Sequence, residues 1–396
     1  MSRAEQNFDV LVVGAGLVGA AFALQLAKRT ELTIALIERA PAISGNDHPN
    51  QRVVALGTAA TDLLSEVGVF DSLGQEFCYP YDRMFVWDEH SDGELSFLAT
   101  EYDKPFLGHL VDSQQCNWQL QQAINFTNTV STFYGFQAES MVVSDSGVTL
   151  HAGEVTLSAP LLVGADGNRS WVRQQAKIFA SNHDYQQRGI VAKISTSLSH
   201  QDTAWQRFLS TGPLAVLPLA DNQSSIVWSA DIERAENLLA LSQEELQNEI
   251  AEALEHRLGE VSLLSQPVAF PLQSQQAEVY FKRHIVLIGD AAHSIHPLAG
   301  QGANLGFKDA SALTGVLEQQ LAAPDGQKAL GDLAVLQRYQ RARRLDNQQT
   351  DLMMSALHQV FKNDSPWFLS ARGAGMNWLS DSVSLKELLV KQAMGI

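Results

Sequence analysis

Near its start the chain reads Asp9-Val-Leu-Val-Val13, then Gly14-Ala-Gly-Leu-Val-Gly19, with an apolar run from Leu17 to Lys28. A short apolar strand passing through three glycines at this spacing into a helix opens a parallel βαβ unit. The first glycine permits the turn, the second lets a ligand approach the backbone, and the third lets helix pack on strand. The helix N-terminus then offers amide donors to a pyrophosphate. A second apolar strand, Thr33-Ile-Ala-Leu-Ile37, ends at Glu38 and is followed by Arg39. An acid at that position meets a ribose hydroxyl and repels a 2′-phosphate, which selects FAD or NAD over NADP as the resident dinucleotide.

With 396 residues, 45% hydrophobic and 18% charged, the chain is long enough for two domains, or for one domain with a large insertion. Its 44 acidic and 27 basic residues leave a formal charge of -17. That argues against nucleic acid as a partner and against general attraction to anionic lipid. Cys78 and Cys116 are too few and too isolated for a disulfide framework or a metal cluster, and read as packed thiols. No apolar run approaches the length of a membrane span. The expectation is a cytoplasmic protein, or one attached to a membrane only at its surface.

Residues 8–39 read as strand, helix, strand, and helix is expected from 52 onward on the stripe Ala59, Leu63, Leu64 and Val67. Met84–Trp87 and Leu95–Phe97 read as a hairpin, and Gln114–Ile124 as a helix. Between 189 and 270, strand-like segments are broken by one acidic helix, Gln243–Leu258. The pattern predicts an α/β fold: a Rossmann-like FAD-binding domain interrupted by a β-sheet-containing substrate domain, with a helical C-terminal region. The nucleotide-binding part is expected to take residues 1–80, 111–180 and 276–396, the last with the C-terminal helices. A hairpin at 81–110 and a sheet at 181–275 form the substrate domain. The middle strands do not reveal which faces point inward, so no catalytic side chain is singled out.

Two further segments fit the first: Gly164-Ala-Asp-Gly-Asn-Arg-Ser-Trp-Val-Arg173, and a late run from Gly289-Asp290 to Asp309. A strand ending in Gly289-Asp290 puts a carboxylate where an open α/β sheet binds its ligand, within reach of ribityl or ribose hydroxyls. Pro297 restricts the turn that follows, while Gly300, Gly302, Ala303 and Asn304 offer backbone amides at the start of the next helix. Such a helix end suits the negative charge of a reduced flavin. Asp166 also reads as a helix N-cap. His293 and His296 lack cysteine and carboxylate partners for zinc, so no metal site is expected. Arg338-Tyr-Gln-Arg-Ala-Arg-Arg344 reads as a solvated helix face.

The late run, with the Gly164 segment, Gln51-Arg-Val-Val-Ala55 and Lys391-Gln-Ala-Met-Gly395, closely resembles the FAD-dependent hydroxylases of ubiquinone biosynthesis, members of the class A flavoprotein aromatic monooxygenases. The resemblance covers essentially the whole chain. It implies that Arg52 reaches the flavin diphosphate or ring edge and that Asp166 helps contact the pyrophosphate; where relatives often carry Arg or Asn, this chain has Ser113. It implies an FAD enzyme, reduced by NAD(P)H as a transient reductant or by another donor, that passes one oxygen atom from a flavin C4a-hydroperoxide to the ring of a polyprenylated phenol. The implied partners are that phenol, oxygen, the inner-membrane surface and a quinone-biosynthesis protein complex. Trp87-Asp88 and Ile226-Val-Trp228 look most like the C5-hydroxylase subgroup. A flavin-dependent reductase of the same fold, a non-catalytic FAD-containing subunit of such a complex, and an NAD-dependent dehydrogenase stand as alternatives.

Overall fold

The computed structural model describes residues 4–43, 52–295, 301–362, 375, 376, 378 and 386. Gln51, His296, Pro297, Gly300, Trp367 and the 391–395 ending lie outside the described residues.

The glycine turn belongs to a six-stranded sheet. Val10–Val13 lies between Ile34–Glu38 and Leu161–Gly164, with Val130–Tyr134 beyond the former and Ile285–Leu287 beyond the latter, all parallel. Phe281–Lys282 adds an antiparallel edge. Val10, Leu11, Val12, Ile34, Ala35, Leu36, Leu161, Leu162 and Val163 are all buried, the unbroken apolar run expected of strands covered on both faces. The helix Leu17–Arg29 buries Ala20 to Leu26 and packs beside the helix Gln301–Leu321. Small residues permit that approach: a Cβ on Gly306 would lie 2.5 Å from the Val18 side chain.

The larger sheet runs in the order His293–Ser294, Val268–Ala277, Ala180–Thr196, Gln223–Asp231, Gly212–Pro218, Thr203–Leu209, Arg83–Asp88, Glu94–Leu98. Val261–Leu263 pairs on the end of Ala180–Thr196. The hairpin Arg83–Asp88/Glu94–Leu98 joins it through parallel pairing with Thr203–Leu209. At the other edge His293–Ser294, just past Asp290, pairs with Gln275 and Gln276 and ties the late motif to this sheet.

The two faces of the large sheet differ. Ile190, Ala192, Ile194, Leu214, Val216, Ile226, Trp228 and Ala230 pack against the helices Ile232–Ala240 and Gln243–Ala253. The alternate residues Val191, Pro213, Ala215, Leu217, Ser225, Val227 and Ser229 line a cleft on the opposite side. Trp87 and Trp228 therefore sit on the helix-covered side, away from the cleft.

Two segments differ from expectation. Residues 52–56 are not helical: Val53–Leu56 pairs antiparallel with Gly108–Asp112, and the helix begins only at Thr58. The β-branched pair Val53-Val54 suits a strand, and Gly57 ends it before the helical stripe starts. The acidic helix closes at Ala253 rather than Leu258 and opens on a capping box, with Ser242 N donating to Glu245 at 2.9 Å and Glu245 N to Ser242 Oγ at 3.3 Å.

Candidate active site

The three glycines of the turn have distinct surroundings. Gly14 has φ +108, and a Cβ there would meet the Ala165 carbonyl oxygen at 2.3 Å. A Cβ on Gly19 would meet the Gly14 carbonyl at 2.0 Å. Around a Cβ on Gly16 there is nothing within 4 Å. Two positions are thus closed by the protein's own backbone, while the middle one opens into the cleft and leaves the amides of the helix N-terminus to a ligand.

The strand-end acid is held by the same turn. Glu38 accepts from Ala15 N at 2.9 Å with one oxygen and from Ala40 N at 2.9 Å with the other. A carboxylate has lone pairs left for a ribose hydroxyl after these bonds. Arg39, the next residue, is exposed and is not among the residues lining the cleft.

Asp166 lies against the turn, its backbone N 2.8 Å from where a Gly14 Cβ would be. Its carboxylate accepts from Ser170 Oγ at 2.5 Å and Val172 N at 3.1 Å, while Ser170 is the cap of the helix Trp171–Gln175. Asp166 therefore shares the capping with Ser170. Burial raises its pKa, against the pull of those hydrogen bonds. From the same segment, buried Arg173 donates to the carbonyls of Ala291 at 2.8 Å and Asn168 at 2.7 Å, which fastens the second motif to the third.

One cleft of about 910 Å³ contains the rest. Gly16, Arg52, Asp290, Gly302, Ala303 and Asn304 line it on the side of the parallel sheet. The Asp290 side chain is exposed to this cleft, yet the walls enclose it. That burial raises its pKa, while the charges of His293 and Arg52 pull it down. Gly302 and Ala303 fall in the first turn of Gln301–Leu321, and a Cβ on Gly302 would meet nothing within 4 Å. The Asn304 side chain is already engaged, donating to Ala55 O and accepting from Gly57 N, both at 2.8 Å. It pins Val53–Leu56 to the helix, so what Asn304 offers a ligand is its backbone. Ser113 also lines the cleft, and its N donates to Arg52 O at 3.0 Å. Tyr81 does so too, its phenol pushed up to about 12 by burial.

Behind Asp290 is a polar cluster that the sequence did not single out. Asp309, fully buried, accepts from Gly289 N at 3.0 Å, His293 Nε2 at 2.6 Å, Arg343 Nε at 2.7 Å and Asn347 Nδ2 at 3.3 Å. Arg343 also donates to Asp346 at 2.6 Å and Asn347 at 2.7 Å. The basic run 338–344 is therefore split: Arg338 and Arg341 are exposed, but Arg343 and Tyr339 are buried. The spacing of Arg343 and Asn347, four apart on one helix face, was the available signal. His293 braces the loop and is not among the residues lining the cleft. Neither cysteine is a nucleophile here, because burial pushes the Cys78 thiol up to about 11 and Cys116 to about 12.

The site has the requirements of a dinucleotide cradle: open space at the middle glycine, a strand-end carboxylate on the turn, and a second helix N-terminus across the cleft beside an acid. Comparison with known proteins agrees. The family model for an FAD binding domain matches residues 7–350. The chain is 35% identical to the 3-demethoxyubiquinol 3-hydroxylase of Escherichia coli K12, covering 99% of each protein. It is 32% identical to the ubiquinone hydroxylase UbiL of Rhodospirillum rubrum, covering 99% of this chain and 90% of that one. The crystal structure of p-nitrophenol 4-monooxygenase PnpA from Pseudomonas putida superposes with a TM-score of 0.78 at 17% identity, covering 99% of this chain and 98% of that one, a likeness of fold.

Proposed function

The chain belongs to the FAD-dependent hydroxylases of ubiquinone biosynthesis, and from that membership we propose that it places one oxygen atom on the aromatic ring of a polyprenylated phenol. FAD is its cofactor. The observation that carries the reading is the single cleft in which the open Gly16, Asp290 and the start of Gln301–Leu321 face the apolar surface of the large sheet.

In this reading the turn Gly14, Gly16 and Gly19 takes the pyrophosphate, with Asp166 and Arg52 beside it. Glu38 accepts from the ribose, and Arg39 covers the adenosine end from outside. Asp290 accepts from the ribityl chain. The backbone amides of Gly302, Ala303 and Asn304 face the edge of the flavin ring where reduction leaves negative charge; Pro297 and Gly300 are assigned to the same loop from sequence alone. When bound, FAD supplies the activation of oxygen and its transfer. The protein's part is to hold the ring system, to shut water out with Val191, Ala215, Leu217 and Val227, and to present the phenol. NAD(P)H is the proposed transient reductant.

The name of the Escherichia coli relative favours carbon 3 of a demethoxyubiquinol as the position attacked, in place of the C5 subgroup suggested by the two tryptophan segments. Among the described residues no helix is long and apolar enough to cross a membrane. We place the protein at the cytoplasmic surface of the inner membrane, where an apolar tail is met, with other quinone-biosynthesis proteins as partners.

The test is an absorption spectrum of the purified protein, anaerobic reduction by NAD(P)H, and reoxidation in air with a short-chain demethoxyubiquinol. Flavin bands and a product heavier by one oxygen at carbon 3 are expected. Bound flavin that yields no hydroxylated product with any prenylated phenol or donor would overturn the reading.

A further inference from the structure

The floor of the cleft contains a hydroxyl that its own chain leaves without a partner. In the strand Gln223–Asp231, Ser225, Val227 and Ser229 line the cleft while Ile226, Trp228 and Ala230 pack under the helices. Ser225 is 1% exposed, and its Oγ makes no hydrogen bond among the described residues. Its lateral neighbours are Leu217 on one side and Lys193 on the other, and Val227 follows it along the strand. No group among the described residues bonds this hydroxyl; leaving one bare and buried is unfavourable, and an alanine would avoid the penalty.

A second polar side chain stands across the same floor. Gln206, 7% exposed, lines the cleft from Thr203–Leu209. It is paired with Ala215, which in turn is paired with Val227, so two strand spacings, roughly 10 Å, separate Gln206 from Val227. Between the polar groups lie Ala215, opposite Gln206, and Leu217, opposite Ser225, with the short side chain of Ala204 beside Gln206. That is an apolar bed for a flat ring with a hydrogen-bonding group on either side.

We propose that Ser225 and Gln206 are the specificity-determining pair of this site, receiving the oxygen substituents of an aromatic ring and so fixing which ring carbon faces the cofactor. The ligand class is a phenol bearing a second ring oxygen, as hydroxyl or methoxy. Ser225 donates to the methoxy oxygen, and Gln206, which offers both a donor and an acceptor, takes the phenolic O–H. The proposal rests on the hydroxylase reading only in that the ring enters this cleft. Ser224 supplies an internal control: it is equally buried and its Oγ equally bare, but it alternates to the helix-covered face.

The experiment titrates FAD-loaded protein with a short-chain prenylated 2-methoxyphenol, following the flavin absorption bands, and then identifies the products of turnover. Ser225→Ala should raise the Kd for this probe about tenfold, the loss of one hydrogen bond. It should also yield more than one hydroxylated isomer and more NAD(P)H consumed per product. A probe lacking the methoxy group should bind wild type and Ser225→Ala alike. Flavin content should stay unchanged, as should probe affinity in Ser224→Ala. Wild-type binding and a single product in both Ser225→Ala and Gln206→Leu would overturn the pair while leaving the hydroxylase reading intact. A wild-type protein that binds FAD but no phenol would overturn both.

Discussion

At the scale of single residues, the three glycines of the turn separate folding from binding. A side chain at Gly19 has no room, since its Cβ would lie 2.0 Å from a backbone oxygen. One at Gly16 meets only the cleft. Gly16→Val should therefore fold with stability within about 0.5 kcal/mol of wild type, as at an uncrowded surface position, yet purify without flavin. Gly19→Ala should lower the melting temperature of the apo-protein itself. Calorimetry of both apo-proteins with flavin content beside it checks the pair; a Gly16→Val protein that keeps full flavin would show that the pyrophosphate lies elsewhere. The tight packing at Gly14 and Gly19 was legible in the sequence because the spacing of the three glycines already calls for a tight turn and a close helix–strand approach. Asn304 was not legible in the same way. Its amide spans to Ala55 and Gly57, far away in sequence, and no local pattern announces such a pairing.

At the scale of elements, the helix Leu333–Lys362 reaches behind the cofactor loop. Its Arg343 and Asn347 grip Asp309 of Gln301–Leu321, which in turn holds Gly289 N. Removing one partner strands the other charges in a dry place, so Asp309→Asn should cost roughly 3–5 kcal/mol in a urea titration. Burial by itself would raise the Asp309 pKa, but the charges and hydrogen bonds of His293 and Arg343 hold it below the usual value. A carboxylate whose folded pKa is depressed stabilises above its unfolded pKa, about 3.9, and that contribution is lost as the pH falls toward the folded value. The stability gap between wild type and Asp309→Asn should accordingly shrink as the pH falls below about 4. A gap that does not shrink below about pH 4 would refute the assignment of that charge. The helix itself was expected from sequence. Its inward arginine was not, because an arginine-rich run ordinarily faces water and only the position of Asp309 reverses that rule.

At the scale of the whole molecule, the cleft is shared between two sheets, and the strand His293–Ser294 stitches one to the other. A ligand bound across such a boundary couples both sides. FAD at about a hundredfold excess over its Kd should add about 2.7 kcal/mol. In urea, flavin release should then coincide with loss of the near-ultraviolet signal from Trp87, Trp205 and Trp228 of the large sheet; two separated transitions would show that the sheets unfold independently. The α/β class was legible from the strand and turn pattern. Which face of the large sheet lines the cleft was not, because both faces carry apolar residues and polarity does not alternate cleanly: two serines face the cleft, while Ser224 faces the other way. The clamp on Asp309 has one more consequence, for the order in which the protein is made. The glycine turn emerges from the ribosome well before Asp290, Asp309 and Arg343, which lie in the last third of the described chain. A nascent polypeptide can fold its first strand–helix unit on the ribosome, yet the opposite wall of the cleft does not exist until the helix carrying Arg343 has been made. On the proposed placement of FAD, capture of the cofactor waits for both walls, and a messenger truncated ahead of the codon for Arg343 should encode a chain that retains less flavin than the full protein.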